Sequence, residues 1–160
     1  MRRIVTIGVY GWDLGRFLAA LDDGGVRLLV DVRQRRSVRG SDYAWANAVR
    51  LQEALAGAGV VYSHQKELAP TTELRHLQYA EDARLGVGKR SRSVLAPEYR
   101  VRYTREILDH VDLRPLVDEL GREGTGALFC VERDPEACHR SIVAERLAGV
   151  HDVLVRHLRP

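Results

Sequence analysis

Five short apolar runs punctuate the chain: RIVTIG at 3–8, RLLVDV at 27–32, VVYSH at 60–64, ALFCVE at 127–132 and VLVRHL at 153–158. Each is dominated by Val, Ile, Leu or aromatic residues and lacks clean alternation of apolar and polar positions. That is the pattern of strands covered on both faces, hence of a parallel sheet. Between the runs the apolar period lengthens. Leu14, Phe17, Leu18 and Leu21 fall at i, i+3, i+4 and i+7 behind Asp13, a good N-cap, and Gly24-Gly25 stops the helix they predict. A second helix carries Trp45, Val49, Leu51 and Leu55 and ends at Gly57 or Gly59. A third follows Pro97, with Tyr99, Tyr103 and Ile107 four residues apart, and Pro115 divides it from a shorter one bearing Leu116 and Leu120. Ile142, Val143 and Leu147 give the last helix its buried side, and Gly149 closes it.

Strand and helix alternating over residues 1–160 predict one α/β domain. The expected architecture is a three-layer sandwich on a mostly parallel five-stranded sheet, flavodoxin- or Rossmann-like. The flavodoxin strand order is the simplest expectation, although local pattern does not encode order. Residues 66–97, KELAPTTELRHLQYAEDARLGVGKRSRSVLAP, break the rhythm as a long insertion between the third strand and its helix. Its LGVGKRSRS portion is basic and rich in Gly and Ser, and connections of this length usually serve function.

Composition narrows the class without naming a task. The chain is 45% hydrophobic and 29% charged, as ordinary globular proteins are. No apolar run approaches the roughly 18 residues of a membrane span, and the basic start turns polar too soon for a secretory leader. Two cysteines, Cys130 and Cys138, imply no disulfide framework, so a reducing cytoplasm is the expected location. The net charge of +3 is unevenly spread. Residues 33–40 hold four arginines and no acid, and residues 84–105 set Arg84, Lys89, Arg90, Arg92, Arg100, Arg102 and Arg105 against Glu98 alone. Such clustering predicts a one-sided positive surface and an anionic partner. GC-rich coding also supplies arginines in place of lysines, so a functional basic face and compositional drift stand side by side here.

In open α/β sheets ligands bind beyond the carboxyl ends of the strands. That edge collects Gly8, Tyr10, Gly11 and Trp12 after the first strand, and Asp31, Arg33 and the arginine run after the second. His64, Lys66 and Glu67 follow the third strand. The fourth leads into FCVERDPEACHRS at 129–141. There Asp134-Pro135 either caps a helix or forms a turn before one that starts nearer Cys138. Either way Cys138, His139 and Arg140 fall in early turns, where free N–H groups favour anions and depress a thiol pKa. Arg140 is thus a candidate anion clamp and Cys138 a candidate nucleophile. Cys130 is more simply a buried small hydrophobe. Glu132 and Asp31 are candidate acid/base groups, or else structural ion-pair partners, Asp31 with Arg140 for instance. Cys130, Cys138 and His139 offer three ligands where structural zinc takes four at close spacing, so neither metal nor cofactor is expected. The chain has no Walker loop, no G-x-G-x-x-G and no nucleophile elbow.

TIG at 6–8, LLVDVR at 28–33, GVVYSHQKELA at 59–69, FCVERDPEACHRSIVAERL at 129–147 and the closing VRHL at 155–158 together resemble the bacterial and archaeal domain-of-unknown-function family 488. The likeness runs nearly end to end. Val9-Tyr10 stands where that family usually has His-Ser, and Arg35-Arg36 where it has a proline soon after DVR. Leu68-Ala69-Pro70 replaces Leu-Gly-Gly, so the resemblance is to a divergent branch. It implies an α/β fold and a shared pocket built from Gly8, Asp31, Arg33, Glu132, Cys138, His139 and Arg140, and it implies no particular reaction.

The combined expectation is a cytoplasmic hydrolase or transferase for a phosphate-bearing ligand, either a nucleotide or nucleic acid. Glu132, Asp31, His139 and Cys138 are its catalytic candidates. Gly8, Tyr10, Arg33, Lys89, Arg90 and Arg140 are its anion- and substrate-binding candidates. The alternative is a non-catalytic DNA- or RNA-binding module that uses the two arginine clusters and shows steep salt dependence.

Overall fold

All five apolar runs form strands, and all lie parallel in one sheet. The computed structural model describes residues 1–160. Its elements are β1 (Arg3–Ile7), α1 (Leu14–Asp23), β2 (Val26–Asp31), α2 (Ala48–Gly57), β3 (Val61–His64) and α3 (Thr72–Leu85). They continue with α4 (Pro97–Glu106), α5 (Arg114–Glu123), β4 (Thr125–Phe129), α6 (Arg140–His151) and β5 (Leu154–His157). Helices flank the sheet to complete the three-layer α/β sandwich.

The strand order is β3-β2-β4-β1-β5. It departs from the flavodoxin order β2-β1-β3-β4-β5 because β4 inserts between β2 and β1. Ala127 of β4 sits level with Leu29 on one side and Val5 on the other. Burial follows from position. Leu28, Leu29 and Val30 of β2 and Ala127, Leu128 and Phe129 of β4 have no exposed surface, while β3 and β5, at the edges, are partly exposed. The unbroken apolar runs of the central strands are thus the sequence signature of burial on both faces.

Caps and prolines mark several helix ends. Asp13 Oδ1 accepts the Arg16 N–H at 2.8 Å to start α1, and Gly25 takes φ +67° just after it. Pro97 opens α4, and Pro115 sits in the first turn of α5, whose Leu116, Val117 and Leu120 pack towards β2 and β4.

The last helix runs through Gly149 to His151 and is closed by left-handed Asp152, and Trp45 sits in a 3-10 turn ahead of α2. Two further departures bear on the site. First, β4 ends at Phe129, so Cys130, Val131 and Glu132 belong to the loop beyond it. The Val131 carbonyl accepts N–H groups from Val9 at 2.9 Å and Tyr10 at 3.1 Å, which draws this loop over the end of β1. A Cβ at Gly8 would overlap the Glu132 carbonyl oxygen, so glycine there serves the approach of two backbones. Second, the 66–97 insertion contains α3, capped where the Thr71 hydroxyl accepts the Leu74 N–H at 3.1 Å and ended by left-handed Gly86. Its buried positions are Leu74, Gln78 and Asp82, so four-residue spacing is present but mostly in polar residues. No helix of the chain is long and apolar enough to cross a membrane.

Candidate functional site

The connection leaving β2 runs to β3 on one side of the sheet, and the one leaving β4 runs to β5 on the other. A crevice opens between the carboxyl ends of two such strands. Here it is a cleft of about 760 Å³. The loop after β2, α3, the strap of residues 86–96 and Tyr10 after β1 form its walls. Cys130, Glu132, Cys138 and His139 form its floor.

At the floor, His139 is fixed from behind. Its Nε2 lies 2.8 Å from the Val32 carbonyl oxygen, a bond that requires the proton on Nε2. Nδ1 is then turned to both thiols, 3.8 Å from Cys130 Sγ and 3.9 Å from Cys138 Sγ. Pro135–Ala137 form one short 3-10 turn, and α6 starts at Arg140, so DPEA is the turn and Cys138 precedes the helix. The Cys138 carbonyl accepts the Ser141 N–H and hydroxyl at 3.1 and 2.8 Å, which holds the residue at this corner. Burial pushes the Cys130 thiol well up. Burial acts on Cys138 too, but the Cys130 thiol, Arg140 and His139 outweigh it and bring Cys138 well below the usual thiol range. For His139, burial is likewise outweighed, by the Cys138 thiolate above all, so the imidazole is shifted up. Both shifts act in the same direction, favouring charge on the Cys138 sulfur and a proton on His139. Burial, then the Cys138 charge, raise the Glu132 carboxyl against the opposing Lys89 and Arg92.

Several expected site residues are committed to the frame instead. Asp31 is fully buried and does not line the cleft. Its Oδ1 accepts the Arg33 N–H and Nε–H at 3.1 and 2.9 Å, and its Oδ2 accepts Arg33 Nη2 and the Tyr62 hydroxyl at 2.8 and 2.6 Å. The partner of Asp31 is thus Arg33, two residues on, and not Arg140. Arg33 touches the cleft, but its other amino group donates to the Ala46 carbonyl at 2.8 Å. Arg140 is also fully buried. It donates to the Glu132 and Arg133 carbonyls at 2.7 and 3.2 Å, bracing the loop that carries Glu132, and presents no fork to the cleft. Gly8 lies outside the cleft lining as well, for the steric reason given above.

Arg92 joins the insertion to the floor. It grips Asp82 of α3 through Nε and Nη2 (3.0 and 2.7 Å), and its Nη1 reaches Glu132 Oε1 at 3.1 Å and the Ala137 carbonyl at 3.3 Å. Gln78 Nε2 donates to Asp82 at 2.9 Å while its Oε1 accepts the Ala96 N–H at 2.8 Å, so the start of α4 is anchored to the same cluster. All of these side chains are buried.

The rim is different in kind. Seven lining residues are arginine or lysine and one, Glu132, is acidic, against +3 for the whole chain. Arg33 and Arg92 are paired, which leaves Arg35, Arg39, Arg75, Lys89 and Arg90 with no carboxylate partner. Arg75 bonds Gln34 and Tyr79 at 2.8 and 2.9 Å. Arg90 lies over the rings of Tyr10 and Tyr43, 5.3 and 5.1 Å from their centroids, and donates to the Arg39 carbonyl at 3.0 Å. The strap is thereby pinned across the mouth by a cation–π contact. Tyr10, Lys89, Arg90, Glu132, Cys138 and His139 do meet at one place, as neighbours around the cleft. Arg35, Arg39, Arg75 and Tyr79 join them without having been singled out from sequence, the first two as members of the arginine run. Cys130, expected to be a buried small hydrophobe, is buried as expected and also lines the cleft.

Fold and cleft define an α/β protein with a parallel sheet, a basic mouth and an ionisable floor at its carboxyl edge. Residues 13–147 match the domain of unknown function DUF488, and the chain belongs to that family. No curated protein and no solved structure matches it.

Proposed function

We propose that the protein is an enzyme for a phosphate-bearing ligand, a nucleotide or nucleic acid, acting by hydrolysis or group transfer in this cleft. The observation that carries the proposal is the convergence of five cations lacking carboxylate partners on the mouth of a cleft whose floor holds Glu132, Cys138 and His139. Unpaired guanidinium groups facing a cavity are suited to bidentate phosphate contacts. Tyr79, half-buried on the same wall, and the guanidinium plane of Arg90 stacked on Tyr10 offer surfaces against which a base can stack. The phosphate would be held at the rim and the bond to be broken presented to the floor. Glu132 carries the proton there. Arg92 holds one of its oxygens at 3.1 Å. Two free cysteines in such a floor suit a reducing cytoplasm.

The test is incubation with panels of nucleotides, sugar phosphates and short oligonucleotides, with products followed by mass spectrometry. Turnover of one phosphate-bearing class is expected, lost at least a hundredfold in Glu132→Gln with the fold retained by circular dichroism. Binding without turnover, falling steeply with salt, would make the protein a nucleic-acid-binding module instead. Absence of both binding and turnover sinks the reading.

A further inference from the structure

We propose that Cys130 Sγ, Cys138 Sγ and His139 Nδ1 form a site for one soft divalent cation of the zinc class, with its fourth position open to the cleft. The three atoms all lie within 4.8 Å of one another, and the two sulfur–nitrogen separations are 3.8 and 3.9 Å. A tetrahedral ion with Zn–S of about 2.3 Å and Zn–N of about 2.0 Å sets S···N edges of about 3.5 Å. The two S···N edges therefore need to contract by only a few tenths of an ångström, and the S···S edge, bounded at 4.8 Å, has to close to about 3.8 Å through small rotations of the two cysteine side chains.

The surroundings support the assignment. The His139 Nε2–Val32 carbonyl bond leaves the Nδ1 lone pair for a metal and fixes the ring plane, as outer-shell partners of metal-bound histidine do. Two thiolates and one imidazole select zinc-like ions over magnesium and calcium, which take oxygen ligands. All three residues line the cleft, so the fourth position of the ion faces the ligand's space. Three protein ligands and one open position is the composition of reactive zinc sites, whereas structural ones are closed by four. The expectation of no metal rested on counting to four. An open site needs three.

The inference deepens the proposed function: an oxygen of water or of the ligand would occupy the fourth position, and Glu132 would stand beside it as proton acceptor. It rests on that reading only for the use made of the open position. Cation binding has its own test, cobalt titration of the reduced, chelator-stripped full chain. Saturation at one Co²⁺ per chain is expected, with a tetrahedral ligand-field spectrum and thiolate-to-cobalt charge transfer, reversed by Zn²⁺ and unaffected by Mg²⁺. Cys130→Ser and Cys138→Ser should each weaken binding about tenfold or more and lower the charge-transfer band, while Glu132→Gln keeps both. An octahedral spectrum without sulfur charge transfer, or no saturable uptake by the wild-type chain, overturns the site even where the serine variants fail to fold. Cobalt uptake without turnover of any phosphate-bearing ligand keeps the cation site and removes the enzymatic reading. Full turnover in the stripped chain keeps the enzyme and removes the cation from its mechanism.

Discussion

Arg33 and Arg35 are two residues apart in one basic run, and Arg90 and Arg92 are two apart in another. In each pair one member is buried against carboxylates and the other lies at the cleft mouth with none. Arg33 is held by Asp31, and Arg92 by Asp82 and Glu132. Arg35 and Arg90 are exposed. Charge density along the chain is the same for both members of a pair. What separates them is whether the fold brings a carboxylate to meet them. Buried guanidinium groups with matched carboxylates build the site, and unmatched ones at the rim face what enters it.

The contrast can be broken first at its most committed member. Arg92→Ala would leave Asp82 and Glu132 buried without their cation, and removing one partner of a buried ion pair costs about 3–5 kcal/mol. Denaturant unfolding should show that loss, and a variant within 0.5 kcal/mol of wild type, roughly the scatter of surface substitutions, would refute the structural role. The rim should behave in the opposite way. Arg35→Ala with Arg39→Ala is expected to leave stability within about 0.5 kcal/mol of wild type, yet to weaken phosphate-ligand binding about tenfold or more and flatten its salt dependence. A rim variant that binds unchanged would show these arginines to be bystanders.

The smallest expected effect lies at the margin of the buried set, on β5. Partial burial, with help from the Arg140 charge and against Glu136, holds His157 below the usual histidine range, and its Nδ1 lies 2.7 Å from Thr6 Oγ1. Arg159 adds to the depression and Glu145 opposes it. The unfolded chain therefore takes up the proton more readily than the folded one. This contribution to stability is present above about pH 6.5 and is lost as the pH falls through the lowered folded value. Thermal unfolding followed from pH 7.5 down to 5, a span of roughly one to two units around that pKa, should show a steeper decline for wild type than for His157→Gln. Equal slopes would dismiss the shift.

Much of this frame was legible in the chain itself. Five strands, the Asp13 cap and the prolines that open α4 and α5 all act within a few residues, so local pattern carries them. The carboxyl-edge location of the site followed from the α/β class. Strand order did not, because parallel neighbours are joined by long crossovers whose destination local pattern does not encode. Helix α3 was hidden because Gln78 and Asp82 occupy positions that an apolar stripe would mark in another helix. The end of β4 was misplaced because Cys130 and Val131 continue its apolar run after the pairing has stopped. The pairings of Asp31 with Arg33 and of Arg92 with Glu132 needed tertiary distances, although the first spans only two residues.

The strand order also governs when the molecule can come into being. Both neighbours of β1, namely β4 and β5, are drawn from residues 125–157, so β1 is left without a partner until those residues exist. Before that point β2 and β3 can pair only with each other. A nascent chain stopped before Thr125 would carry an unpaired apolar strand, and the His139–Val32 bond beneath the cleft would lack one of its ends. Long-range closure of this kind makes the sheet wait until residues 125–157 have been made. A chain stopped before Thr125 would keep the cationic rim and lack the floor, because Cys130, Glu132, Cys138 and His139 all come later.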